Sequence, residues 1–275
     1  MSVATKANID AWFERIGFAG SIAPSLETLG QLIQLHVDKI PFENLDPLMG
    51  VPVRLDLTNL QQKLLFDRRG GYCLEHNLLL KAMLEELDYA VKIHPAVVLW
   101  GREEPVDEPA THVFLTVEIG GSRYLVDGGY GRQTPAAPLR LRADVEQPTP
   151  HEPYRLLEQD GVWRAESLIS GEWRALFRSS LDEIDEAGLN QMNELVSSSP
   201  SFRDRLIAAR AEKGRRVALL NRRLTIRPTD GEPDVRELTS TAELREALTA
   251  TLGIQLPNDE RLEVALDKAL ASELV

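Results

Sequence analysis

The feature that most constrains how this chain can fold is a change of hydrophobic period near residue 90. Before it, apolar residues recur every three to four positions; after it, they alternate and are punctuated by glycine turns. Helices and strands expose different sets of side chains to a core, so the two periods must belong to different layers. The chain therefore reads as α+β, with helices gathered at the start and antiparallel strands behind them.

Asn8 to Ile16 makes a short helix, and Ser25 caps a longer one whose Leu26, Leu29, Leu32, Ile33 and Val37 share a face until Pro41 stops it. Thr58-x-x-Gln61 reads as a capping box ahead of Leu60, Leu64, Leu65 and Phe66. Gly70-Gly71 then breaks regular structure. Leu74, Leu78, Leu79, Ala82, Met83 and Leu87 predict a helix of about four turns that starts near Cys73. From residue 91, Val91 to Trp100, Val113 to Ile119 and Arg123 to Val126 read as strands, the last two joined by a Gly120-Gly121 hairpin signal. Tyr154 to Glu158, Val162 to Leu168 and Trp173 to Phe177 form a second meander, and the succession suggests a barrel or strongly curled sheet. Ser197-Ser198-Ser199-Pro200 marks a boundary. Beyond it, Val217 to Ile226 and Val235 to Leu238 look like strands, Ser240-x-x-Glu243 caps a helix to about Leu252, and a last helix covers Glu260 to Ala271. The expected organisation is a helical part over 1–90, a β part over 91–196 and a mixed α/β part over 197–275.

Composition bounds what such a molecule can do. No apolar run approaches the roughly 18 residues that span a bilayer. Lys6, Asp10, Glu14 and Arg15 interrupt the place where a signal peptide would need an apolar stretch, so a cytoplasmic protein is expected. A formal charge of −12 argues against nonspecific binding to nucleic acid or anionic membrane. The densest basic run, from Arg203 to Arg227 with Arg205, Arg210, Lys213, Arg215, Arg216, Arg222 and Arg223, reads first as a solvated helix face and second as a polyanion site. The five histidines lack metal-ligand spacing, so no metal is expected.

One cysteine in 275 residues excludes a disulfide framework and leaves two readings, a small buried hydrophobe or a reactive thiol. Cys73 stands where a predicted helix begins, among backbone N–H groups without helical acceptors, and that end of the macrodipole favours thiolate. A thiolate nucleophile needs a base, and the base an orienting group. With a two-residue or four-residue turn centred on Gly120-Gly121, His112 stands opposite Gly129 and Asp127 lies on the same face, one diagonal away and within hydrogen-bonding reach. A three-residue loop would flip that parity and separate the two. His76, three residues past Cys73 on the same helix, is a rival base without an evident acid to orient it. His36, His94 and His151 belong to no constellation.

Four segments in this order resemble the signatures of arylamine N-acetyltransferases: Pro41-Phe42-Glu43-Asn44-Leu45, Arg69-Gly70-Gly71-Tyr72-Cys73-Leu74-Glu75-His76-Asn77, Thr111-His112, and Val126-Asp127-Gly128-Gly129-Tyr130-Gly131. The match is strong over the first 155 residues, through His151-Glu152-Pro153-Tyr154, and weaker beyond. The resemblance implies a helical bundle, an antiparallel β-barrel and an α/β lid, with a papain-like or transglutaminase-like Cys-His-Asp core. By that likeness Cys73 is the nucleophile, His112 the base and Asp127 its orienter. Thr111, Gly129 and Gly131 fall at coenzyme A contacts, and Phe42, Tyr130 and Phe202 at aromatic positions flanking the acceptor. Tyr130 stands where phenylalanine is usual. Glu43 and Arg69 fit a structural ion pair. The implied reaction moves acetyl from acetyl-CoA through a cysteine thioester to an arylamine, hydrazine or N-hydroxyarylamine, in a monomer or homodimer. Alternatives are an amide synthase fed by a carrier protein, a triad cysteine hydrolase, or a noncatalytic binding module on the same scaffold.

Overall fold

The structure, a computed structural model, describes residues 6–102 and 108–272. It begins with α1 (Ile9–Ile16) and α2 (Leu26–Lys39), each started by a side chain that accepts a free backbone N–H, Asn8 from Ala11 and Ser25 from Thr28. A two-residue strand β1 (Phe42–Glu43) and the short helices α3 (Leu45–Met49) and α4 (Leu57–Gln61) follow, the latter running into a π-helical turn over Gln62–Phe66. Asp56, not Thr58, caps α4, its carboxylate accepting from the Asn59 N–H. Thr58 is the second residue of the helix, two positions past the residue that caps it. Helix α5 (Cys73–Glu86) completes the helical part.

Eight strands then curl into one antiparallel sheet: β2 (Ala90–Val98), β3 (His112–Ile119), β4 (Ser122–Val126), β5 (Leu139–Arg140), β6 (Val145–Gln147), β7 (Tyr154–Gln159), β8 (Val162–Ile169) and β9 (Glu172–Ser179). Their spatial order, β5-β4-β3-β2-β9-β8-β7-β6, leaves β5 and β6 as the two edges. The Gln147 side chain bridges them, accepting from the Arg140 N–H at 2.7 Å and donating to the Arg140 carbonyl at 3.0 Å, so the barrel is nearly closed. Strand β3 is buried on both faces. Val113, Leu115 and Val117 pack against the helices, whereas Phe114 joins the barrel interior with Leu125, Tyr154, Leu156 and Phe177.

Helices α6 (Glu186–Ser198) and α7 (Pro200–Arg203) lead to β10 (Ile207–Glu212), β11 (Arg215–Leu220), β12 (Arg223–Pro228) and β13 (Asp234–Glu237), then α8 (Thr241–Glu246), a second π-helical turn and α9 (Arg261–Ala271). The stretch read as one strand from Val217 to Ile226 is a hairpin turning at Asn221-Arg222, and the basic run lies mostly on strands rather than on a helix. These four strands form a second sheet with β1 at its edge, Phe42 opposite Ala209. One face, with Ala208, Val217, Leu219 and Leu224, packs under the C-terminal helices. The other carries Phe42, Ala209, Ala218, Arg216 and Arg227.

Candidate active site

Cys73 is the first residue of α5. The chain enters that helix through Tyr72, whose N–H donates to the Glu75 carboxylate at 3.0 Å. The Tyr72 ring is fully buried edge-on to Phe202, and its hydroxyl donates to the Asn193 side chain of α6. These two anchors hold the helix start, and with it the Cys73 sulfur. It points toward the end of the barrel, 3.7 Å from the Thr111 carbonyl.

The hairpin β3–β4 turns through Gly120-Gly121, both at positive φ, and holds Ile119 opposite Ser122 through Leu115 opposite Val126. That register places His112 and Asp127 on one face, and His112 Nε2 donates to Asp127 Oδ2 at 2.7 Å. Burial would lower the basicity of this imidazole, but the Asp127 carboxylate outweighs burial and the Cys73 side chain bonds the ring as well. The pKa is raised from 6.5 to about 10, so the ring carries a proton at neutral pH. The three groups are almost sealed from water, with exposures of 5% for Cys73, 2% for His112 and 0% for Asp127.

Asn77 completes the arrangement and was not singled out in the sequence. Its Nδ2 donates to Asp127 Oδ1 at 3.0 Å and to the Val113 carbonyl at 2.8 Å, while its Oδ1 accepts from the Gly128 N–H at 3.0 Å. One side chain thus ties the cysteine helix to the carboxylate. Its place four residues after Cys73, on the same helix face, was the available signal. Asp127 Oδ1 also accepts from the Gly129 N–H at 2.9 Å. Gly129 has a packing reason to be glycine, since a Cβ there would lie 2.9 Å from the Cys73 Cα and 2.8 Å from the His76 Cβ.

His76 does not face the sulfur, which removes the rival base. Trp12 Nε1, which can only donate, gives its proton to His36 Nδ1 at 3.2 Å; His36 Nε2 meets His76 Nδ1 at 3.0 Å; His76 Nε2 meets the Pro41 carbonyl at 3.1 Å. Both ends of this chain demand the same tautomers, with the proton on Nε2 of each ring. A further proton would set two donors face to face. Burial lowers the His76 pKa from 6.5 to about 4 and pushes His36 well below its usual value. His36 therefore has a constellation after all, a neutral one.

The expected acceptor residues separate into two groups. Phe42 and Phe202 meet edge-on at 6.4 Å. Asn44 holds the Phe202 segment there, donating to the carbonyls of Phe202 at 2.9 Å and Arg205 at 2.7 Å and accepting from the Ile207 N–H at 2.8 Å. Tyr130 instead packs perpendicular to His112 at 5.0 Å and near Phe177, and its hydroxyl donates to the Leu176 carbonyl at 2.6 Å. The extra oxygen relative to phenylalanine is thereby satisfied by the barrel. Gly131, at φ +84, lies against the Phe42 ring.

On the far side of the Gly70-Gly71 turn, Arg69 is clamped between Glu43 and Asp46 at 2.8 Å each, and Lys63 between Asp46 at 2.6 Å and Glu75 at 2.7 Å. This buried network ties β1, α3, the π-helical turn and α5 together, away from the sulfur. Among the described residues, no group of three or more His, Cys, Asp or Glu side chains could hold a metal ion, and no helix is long and apolar enough to cross a membrane.

An N-acetyltransferase family model matches residues 25–261. The chain is 37% identical to the arylamine N-acetyltransferase of Mycobacterium tuberculosis over 97% of each chain. It is 36% identical to the arylamine N-acetyltransferase / N-hydroxyarylamine O-acetyltransferase of Salmonella typhimurium, over 62% of this chain and 60% of that one. The structure of the Mycobacterium marinum arylamine N-acetyltransferase in complex with CoA superposes with a TM-score of 0.90 at 36% identity, covering 95% of this chain and 99% of that one. With this agreement extending through the barrel and the C-terminal sheet, the chain belongs to the arylamine N-acetyltransferase family.

Proposed function

We propose that Cys73 accepts the acetyl group of acetyl-CoA as a thioester and passes it to the nitrogen of an arylamine or arylhydrazine, or to the oxygen of an N-hydroxyarylamine. The observation that carries this reading is the His112 ring, held on Asp127 through Nε2 and standing beside Cys73 at the start of α5. The names of the Mycobacterium tuberculosis and Salmonella typhimurium relatives, and CoA in the Mycobacterium marinum structure, support the donor and acceptor classes.

In the first half, the sulfur attacks the thioester carbonyl and a new C–S bond forms. The oxyanion faces the Cys73 backbone N–H at the positive end of the helix. Collapse breaks the bond to the donor sulfur, and CoA leaves as a thiol with the His112 proton. In the second half, the acceptor nitrogen or oxygen attacks the acetyl carbonyl and the neutral imidazole takes its proton. The Cys73–acetyl bond then breaks, and the anionic sulfur and protonated His112 are restored. Asp127 keeps the ring in place and stabilises its charge in both halves. The low exposure of Cys73 keeps water from the thioester between the halves.

Intact-mass measurement after mixing the protein with acetyl-CoA and no acceptor tests the reading. The wild-type chain gains one acetyl group, and Cys73→Ser gains none. An unmodified wild type, or an adduct retained by Cys73→Ser, rules the reading out.

A further inference from the structure

His36 and His76 touch no reacting group, yet both rings and the Trp12 indole are fully buried. Apolar side chains would fill the same space with no polar atoms to satisfy. What the imidazoles add is direction. Trp12 Nε1 on α1 donates to His36 on α2, His36 Nε2 donates to His76 on α5, and His76 Nε2 donates to the Pro41 carbonyl, at 3.2, 3.0 and 3.1 Å. Since an indole N–H can only donate and a carbonyl can only accept, every proton in the chain points the same way.

Both walls of the active site rest on this chain. The Pro41 carbonyl also accepts from the Gly71 N–H at 3.3 Å, just ahead of Cys73, and the Gly71 carbonyl accepts from the Glu43 N–H at 2.9 Å. A Cβ on Gly70 would lie 2.0 Å from the Pro41 oxygen, so the segment entering α5 approaches that carbonyl as closely as only glycine allows. The turn after Asp127 packs on the same rings. A Cβ on Gly128 would lie 3.2 Å from His36 Cδ2 and Nε2, and one on Gly129 would lie 2.8 Å from the His76 Cβ. The helix start that carries the sulfur and the turn that carries the carboxylate thus share one floor.

We propose that Trp12, His36 and His76 are positioning residues, whose directed hydrogen-bond chain sets the separation between the Cys73 helix start and the Asp127 turn and thereby the rate of acetyl transfer to the sulfur. Three bonds in series, each narrow in length and angle, hold that spacing more tightly than apolar contacts, which tolerate sliding. Asn77 ties the same two elements by direct bonds to Asp127 and Gly128; the imidazoles supply the support beneath it. The consequence for rate is steep, because a shift of about 1 Å between nucleophile and base costs on the order of 10²-fold. This assignment rests on the acetyl-CoA reading above and adds residues remote from the sulfur on which its first half-reaction depends.

The test follows single-turnover acetylation of Cys73 by acetyl-CoA, read by intact mass, in the full chain and four variants. His76→Leu fills the space without a donor; its maximal rate falls on the order of 10²-fold, while the half-saturating acetyl-CoA concentration stays within about twofold. His76→Gln can still donate to the Pro41 carbonyl and recovers most of the rate. Trp12→Phe removes only the N–H that fixes His36 and costs about fivefold, the value of one neutral hydrogen bond. Met83→Ala, which opens a cavity beside the same helix at a fully buried residue outside the chain, lowers the urea midpoint but leaves the rate of the folded protein unchanged. An unchanged maximal rate in His76→Leu, a matching loss in Met83→Ala, or equal losses in His76→Leu and His76→Gln overturn the proposal. Should His76→Leu not fold, Trp12→Phe decides the matter, and a wild-type rate there overturns it. Failure of wild-type Cys73 to take up acetyl from acetyl-CoA would instead overturn the underlying reading, whatever the variants do.

Discussion

His112 and His76 are both sealed in the protein within a few residues of the Cys73 helix start, and they end in opposite charge states. His112 meets the Asp127 carboxylate, and its pKa is raised to about 10; His76 meets another imidazole and a carbonyl, and its pKa falls to about 4. Burial pushes both downward. What separates them is one charged neighbour, because in a water-poor site a single carboxylate outweighs the loss of hydration. The charged histidine sits where the sulfur is, and the neutral one braces the helix behind it.

The sharpest way to break this contrast is Asp127→Asn, which gives His112 a neutral neighbour like that of His76. We expect kcat to fall by about 10³–10⁴-fold with little change in fold, through loss of the imidazolium and its tautomer. Activity within tenfold of wild type would show that the carboxylate does not set the state of His112. A second region supplies the control. Arg69 also pairs with buried carboxylates but touches no reacting group, so Arg69→Met should cost about 3–5 kcal/mol in urea unfolding, by stranding Glu43 and Asp46, while the folded fraction still takes up acetyl. Loss of acetylation in properly folded Arg69→Met would bring this network into the chemistry.

The two histidines also predict opposite limbs of a stability profile. The folded pKa of His112 lies above 6.5, so its contribution is complete below about pH 6.5 and is lost as pH rises toward 10. The folded pKa of His76 lies below 6.5, so the unfolded chain binds the extra proton and stability falls as pH drops from 6.5 toward 4, with His36 acting in the same direction. Each group contributes a slope of at most about 1.4 kcal/mol per pH unit. Denaturant unfolding from pH 4 to 10 should show Asp127→Asn flattening the alkaline limb and His76→Gln the acid limb. Identical profiles for the two variants would erase the distinction.

Much of this was legible in the residues. Given an even turn at Gly120-Gly121, strand parity alone puts His112 and Asp127 on one face. Cys73 at a helix start followed from the glycine pair and the leucine spacing behind it. The strand pair hidden in Val217 to Ile226 was harder to see, since Asn221-Arg222 carries neither glycine nor proline to announce a turn. Strands β5 and β6 are too short to show a period. The role of Asn77 is set by partners 36, 50 and 51 residues away, which no local pattern announces.

Local chemistry along the chain thus determined which groups could form a nucleophile, a base and its orienter, because turn geometry and helix starts depend on near neighbours. Only the tertiary structure decided between His112 and His76. Their distinction lies in what each ring faces, Asp127 for one and His36 with Pro41 for the other, and partners 15, 40 and 35 residues away are brought together by packing rather than by sequence period. The same holds for Arg216, which fastens the barrel turn to the second sheet through the Arg132 and Thr134 carbonyls, 84 and 82 residues away.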